Sequence, residues 1–500
     1  MKQPVYDNLI FGTDKLKFTK TVRAEVKTEI KKQEVKTVLG VFALPLATEN
    51  EVKVETVKVS GKVIFYLNFV DSEGRVRKFE CGNEIFAVFG DKEIAENDFA
   101  HSVATVEKCG YSSNGDNIIV YAEVKINATV NGNSEMPVVV GGDGIIIDKC
   151  ETTYEKRYGV NRGAYPIDEE FELPYAVEDV LSQRAVAVVS AVQCGVGSVI
   201  IDGEIYFSAL MLQKSEKGDI IREDKTLPFR MEVESEDAMP SMRAISSLAV
   251  KSFKTDTVVE DNKSVVRLSV TLSYANEIYA ETEIETVIDA FSSDEELEVF
   301  YCEHKYNSLQ EVRLVRKTVS ARAQTEELPI GARLVAIGGE RVDLVSTSAI
   351  DGGVKAEGVI SVTACYQDVE NGPFSFAIEV PFETVLDLNC NADGFNVSVA
   401  VCKVSARTVS VSQTEVVADL VFSVYPQEVK NIKFVKDIKC VGERKRPTSA
   451  LSVYIPVEGE NLWSLAKRLG VCPSEVLSAN PELQFPLSGK ERIVIYRKLN

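Results

Sequence analysis

Two histidines, His101 and His304, are the only imidazoles in 500 residues, and they lie in separate parts of the chain. Neither has a second ligand at the spacing of a metal motif such as HxxxH, so both read as surface residues rather than ligands or general bases. The ten cysteines, at positions 81, 109, 150, 194, 302, 365, 390, 402, 440 and 472, form no CxxC pair and no dense framework. That distribution fits unpaired thiols in a reducing compartment. Cys150-Glu151 and Cys302-Glu303 each follow a repeated unit, and read as one inter-domain strand with its small thiol facing inward. Gly141-Gly142-Asp143-Gly144 and Asp351-Gly352-Gly353 lack the lysine and the helix of a phosphate loop and read as turns between strands. No Gly-x-Ser-x-Gly elbow occurs. The acidic runs Asp168-Glu169-Glu170 and Asp294-Glu295-Glu296 read as solvated loop entries rather than acid–base pairs or calcium ligands. The chain is thus expected to have no catalytic residue, metal site or cofactor, and not to be an enzyme.

The elements that carry these residues follow a pattern used three times. Alternating apolar residues surround one glycine, and a second glycine follows in a polar turn: Gly61 with Gly74, Gly203 with Gly218, Gly358 with Gly372. The second glycine comes 13, 15 and 14 residues after the first. Such spacing predicts three copies of one domain, over 17–140, 164–292 and 316–430. Val120 to Ala128, Val266 to Tyr274 and Ala418 to Val424 alternate apolar and polar residues, as strands with one wet face do. Each copy is therefore expected to be mainly antiparallel β, as two packed sheets, with a short helix over 176–181 in the second. Residues 1–16 read as a lead-in, and 141–165 and 289–316 as connectors. Lys430, Lys433, Lys436, Lys439, Arg444, Lys445 and Arg446 form a basic band whose last part, 431–450, reads as a linker. It is either a solvated tether or a contact for an acidic partner or membrane surface.

A formal charge of −20 opposes contact with phosphate backbones, which excludes nucleic acid as a partner. The longest apolar runs are too short to span a bilayer, so no transmembrane segment is expected. The first residues lack the apolar core of a secretory signal, which predicts a cytoplasmic protein.

Residues 451–497 change character and predict a small βααβ unit. Asn461 is placed to cap a first helix and Gly470 to end it. Leu462, Leu465, Ala466 and Leu469 fall on one helical stripe. A second helix opens at Pro473 and stops at Asn480-Pro481, and Arg492 to Tyr496 returns as the closing strand.

This tail, with its Val457-x-Gly459-x-x-Leu462-Trp463-x-Leu465-Ala466 opening and its Asn480-Pro481 pair, resembles a LysM module. The three repeats resemble the SPOCS domain of spore-forming Firmicutes. Together the order is similar to that of spore-coat morphogenetic proteins of clostridia. The resemblance implies a scaffold or adaptor in the mother-cell cytoplasm, at the forespore surface. Its LysM module would bind the coat ATPase called stage IV sporulation protein A and, with other coat proteins, help coat assembly. LysM modules more often hold N-acetylglucosamine polymers, so a peptidoglycan-binding protein is the alternative. In either case the resemblance places the groove at Gly459, Glu460, Asn461, Leu462, Asn480, Pro481 and Glu482. Glu460-Asn461 replaces the usual Asp-Thr, which favours a protein ligand. Trp463, the only tryptophan, lies one position off the stripe. It belongs either to the module's binding rim, where Trp463→Ala would abolish capture of the partner, or to the module's own core.

Overall fold

In the computed structural model the described residues are 3–215, 219–325, 328–329, 331–368, 372–390, 392–445 and 449–496; Gly218 and Arg446, read above as a turn and as part of the basic band, lie outside them. The chain is mainly β, in several antiparallel sheets. The first repeat comprises β1 (Pro4–Lys31), β2 (Val35–Pro45), β3 (Glu49–Lys53), β4 (Thr56–Asp71), β5 (Val76–Gly90), β6 (Phe99–Asn114) and β7 (Asn117–Gly142). The second has β8 (Ile146–Leu173), β9 (Val177–Cys194), β10 (Ser198–Gln213), β11 (Ile220–Glu234), β12 (Arg243–Glu260) and β13 (Lys263–Phe291). The third has β14 (Glu295–Leu309), β15 (Arg313–Gln324), β16 (Arg333–Ile350), β17 (Gly353–Asp368), β18 (Gly372–Asp387), β19 (Gly394–Ser410) and β20 (Gln413–Glu443).

One topology recurs. The opening strand pairs with the last strand and the last with the one before it, giving β1-β7-β6, β8-β13-β12 and β15-β20-β19, with β14 on the far half of β20. The remaining strands form β2-β4-β5, β9-β10-β11 and β16-β17-β18, with β3 beside β2 on the same edge of β4. In each repeat the two sheets share one core. Val120, Ala122, Val124, Ile126, Ala128 and Val130 of β7 all point into it against Val57, Val59, Val63, Phe65 and Leu67 of β4. Period-two alternation produces this burial directly.

The first glycine of the motif sits mid-strand beneath a large side chain. Gly61, Gly203 and Gly358 lie directly opposite Ile85, Phe229 and Phe382 on the neighbouring strand. A Cβ on Gly203 would stand 2.4 Å from both the Phe229 ring and the Val188 carbonyl oxygen, and one on Gly358 would stand 2.5 Å from the Asp343 carbonyl oxygen. Gly74 and Gly372 hold turns at φ +84° and +86°, where a side chain is strained.

The leading and trailing segments of each repeat are strand, contrary to the sequence reading. Residues 4–16, 146–158 and 295–309 pair with 130–142, 279–291 and 427–443, so each repeat extends into a two-stranded ribbon. The basic segment read as a linker is β20 through Glu443, and the boundaries 17–140, 164–292 and 316–430 leave out most of these ribbons. The three ribbons pack together as a stalk. Each carries one extra residue at the same place, Val140, Ile288 and Lys436, in a bulge. Next to it Val139, Val287 and Val435 are buried in one cluster. Farther along, Phe11 meets Tyr154 and Tyr306 at ring-centroid distances of 5.3 and 6.2 Å. All three aromatic residues hold equivalent positions, so the stalk has an internal threefold order.

The same order governs polar contacts between ribbons. The Tyr6 hydroxyl donates to Asp437 at 2.5 Å, and Tyr301, its equivalent, donates to Asp289 at 2.8 Å. Burial and then the carboxylate push both phenols up to about 12. At the third place stand Gly141 and Lys149, and Lys149 pairs with Glu285 instead.

Four other readings are corrected. Residues 177–181 are strand in β9, buried on both faces: Val180 packs into the core of the second repeat and Leu181 into the cluster between repeats, and consecutive buried residues mimic helical spacing. Both histidines are drawn inward. His304 lies 4.3 Å from the Phe11 ring within the stalk, His101 lines a cavity between repeats, and burial lowers both from the usual imidazole value. Cys150 is exposed, whereas Cys302 is half-buried in the stalk. The strand beside Cys150 offers only Thr286, while the Phe434 ring lies beside Cys302. Asp168 and Glu170 are solvated as read, but on the wet face of β8, paired across to Ser269 and Arg267.

Where the repeats meet, Phe42 and Tyr66 of the first, Leu181, Leu210 and Leu212 of the second, and Ala336 and Cys365 of the third form one cluster. A bulge in β16, between Gly338 opposite Thr363 and Arg341 opposite Ser361, turns Glu340 inward. Gly339, at φ +63°, supplies the conformation it needs. Glu340 accepts two bonds of 3.0 Å from Arg222 and one of 2.7 Å from Ser208, with Arg184 at 3.4 Å. Burial alone would raise its pKa; Arg222, Arg184 and Ser208 instead hold it well below the carboxylate range. Among the described residues no helix is long and apolar enough to cross a membrane.

Candidate docking module

The tail folds as β21 (Leu451–Tyr454), α1 (Leu462–Leu469), α2 (Pro473–Ala479) and β22 (Ile493–Tyr496), with β21 antiparallel to β22. The Asn461 side chain caps α1 by accepting from the Ser464 N–H at 2.8 Å, and the Ser464 hydroxyl accepts from the Asn461 N–H at 3.1 Å. Gly470, at φ +68°, ends the helix. Leu465, Ala466 and Leu469 are buried with Val476, Ile493 and Ile495.

The residues expected to line a groove fall in two groups. At the entry to α1, Gly459 at φ +82° donates its N–H to the Leu487 carbonyl at 2.8 Å. Glu460 takes two bonds of 2.9 Å from Arg468 and one of 3.0 Å from the Val457 N–H. The Arg468 bond leads in holding its carboxyl below the ordinary value. Leu462 is half-buried against the module core. At the exit of α2, Asn480 donates to the Val476 and Val494 carbonyls at 2.9 and 2.8 Å and accepts from the Val494 N–H at 2.8 Å. It clamps α2 to β22, and Pro481 and Glu482 stay exposed. Glu460, Asn461 and Asn480 therefore direct their polar groups to the module itself.

Trp463 has a third role that neither sequence reading contained. Its ring meets Phe291 edge-on at 5.1 Å, and its Nε1–H donates to Asp289 at 2.8 Å. Lys467 reaches the same carboxylate at 2.6 and 2.7 Å. Arg444 completes the seat by donating to the Ser292 carbonyl and to the Lys467 and Arg468 carbonyls at the end of α1. Burial would raise the Asp289 pKa, but Lys467, Trp463 and Tyr301 together lower it. Threefold order explains why this ribbon is chosen: Phe291 is matched by Asp143 and Lys439 on the other two, which offer no apolar surface to the indole.

Because Trp463 is the sole tryptophan, its emission reports this seat. Asp289→Ala is expected to shift the emission to the red. The loss amounts to about 1–3 kcal/mol for a charge-assisted contact. A carboxyl lowered in the folded state stabilises above its unfolded pKa of about 4, and that contribution is lost as pH falls through the lowered value. The red shift is thus expected on acidification below about pH 4, not between pH 6 and 8.

A second feature was missed although its signal is simple. Leu451, Val453, Ile455 and Val457 alternate along β21 and its continuation and are 54%, 57%, 72% and 63% exposed. Tyr496, opposite Leu451, is 68% exposed. Period two places these side chains on one outer face, while Tyr454 and Pro456 turn inward. Among the described residues no group of three or more His, Cys, Asp or Glu side chains converges as metal ligands would. Compared with known protein families, characterised proteins and solved structures, the chain shows no match.

Proposed function

We propose that the chain is a non-enzymatic scaffold in which three SPOCS-like β repeats present a LysM-like module to a partner protein. By the resemblance in its motifs, that partner is the spore-coat morphogenetic ATPase, stage IV sporulation protein A. The setting is the forespore surface on the mother-cell side, where the complex and other coat proteins build the coat. The observation that carries a protein partner is the outer face made by Leu451, Val453, Ile455, Val457 and Tyr496. Isolated exposed apolar residues are ordinary, but a contiguous row on a small module marks an interface. The groove supports the same reading, since Glu460, Asn461 and Asn480 are bonded within the module and have little left to offer a sugar's hydroxyls.

Retention of the full chain on the immobilised ATPase, compared with retention on insoluble peptidoglycan, tests this. Binding to the ATPase is expected, and Ile455→Asp should weaken it by about 2 kcal/mol, as for a central interface residue. Its side chain contributes to no core, so circular dichroism should not change. Retention on peptidoglycan with indifference to the ATPase would replace the scaffold by a glycan-binding protein.

A further inference from the structure

A cavity of about 330 Å³ lies where the three repeats meet, walled by β2, β4 and β6 of the first, β9, β10, β11 and β12 of the second, and β16 and β19 of the third. That volume falls within the range of small-molecule sites, about 300–1,000 Å³. Much of the wall is apolar, including Leu44, Val106, Val186, Val250 and Ala400. Three buried polar atoms on it have no hydrogen-bond partner: the Tyr66 hydroxyl, the Gln183 side-chain oxygen and the Arg341 Nε. Tyr66 and Gln183 are neighbours on this wall. Buried polar groups are almost always satisfied, so three orphans on one wall mark a space that something polar fills.

The charges define what that is. The Glu340 carboxylate is consumed by Arg222, Arg184 and Ser208. Among the described contacts Arg341 makes a long one of 3.9 Å with the Cys109 sulfur, and Asp343, on the same strand, feels its charge. A guanidinium with a free edge in a largely apolar cavity suits one carboxylate at the head of a short hydrocarbon body.

We propose that this cavity binds a small aliphatic carboxylate, with Arg341 as its counter-ion and the Tyr66 hydroxyl as a hydrogen-bond donor to it. The test uses the full chain with hexanoate as probe and 1-hexanol as the uncharged control. Calorimetry and the resonance of carboxyl-labelled hexanoate should both show saturable binding, which hexanol does not match. Arg341→Met should weaken hexanoate by about tenfold or more, equivalent to about 1.4 kcal/mol. Tyr66→Phe, a smaller change, should weaken it less. If neither method detects saturable hexanoate binding to the unaltered chain, the cavity holds only water and the proposal fails. It fails equally if hexanol binds as well as hexanoate, or if a folded Arg341→Met chain binds unchanged.

Discussion

Replacing Glu340 by alanine is expected to lower stability by about 3–5 kcal/mol, the cost of removing one partner from a buried ion pair. The change leaves Arg222 and Arg184 facing each other in a buried site, with Asp224 to balance them at 2.6 Å from Arg222. Glu340→Gln keeps the shape but not the charge, and should lose nearly as much. Because Glu340 joins the second and third repeats, the loss should appear as earlier thermal unfolding and faster amide exchange around 208–213, 220–224 and 337–341. A depressed carboxyl stabilises above its unfolded pKa of about 4.3, and the effect disappears as pH falls through the folded value. The gap between wild-type and variant should thus be constant from pH 6 to 8 and close only in strong acid. A gap that closed near neutrality would overturn this account of the cluster.

Gly203→Val should destabilise the second repeat by about 3 kcal/mol or more, at the upper end for overpacking. Its Cβ would strike the Phe229 ring and the Val188 carbonyl oxygen, both at 2.4 Å, and the latter is backbone that does not swing aside. The three repeats offer an internal scale. At Gly61 the nearest atom is a Thr48 methyl carbon at 3.1 Å, so Gly61→Ala should cost far less than Gly203→Ala. Chemical denaturation of the full chain, read at probes within each repeat, would rank them. Equal losses at the two glycines would mean that ring packing is not what keeps them.

That glycine pattern is why the repeats were legible: mid-strand Gly opposite a large residue leaves a mark at fixed spacing, and alternation along 120–130 names the buried face. The caps at Asn461 and Gly470 were equally local. The stalk was hidden because its ribbons are narrow and only one side is dry. Ile432, Phe434 and Val435 point to the axis, but Lys430, Lys433, Lys436 and Lys439 between them read as a solvated tether. Lys430 in fact pairs with Glu281 of the neighbouring ribbon at 2.6 Å. The seat of Trp463 could not be read at all, since its acceptor lies 174 residues earlier in the chain. The exposed row from Leu451 to Val457 is present in the alternation of the sequence.

The way the repeats are joined has a practical consequence. Gly142 to Ile145, Phe291 to Asp294 and the exit at Glu443 all lie at the far tip of the stalk, beside Pro4 and beneath the terminal module. A fluorescent protein or bead fused ahead of Pro4 would therefore crowd the pole that carries the module, whereas one inserted in the Ser72-Glu73-Gly74 turn would ride on a β domain and leave that pole clear.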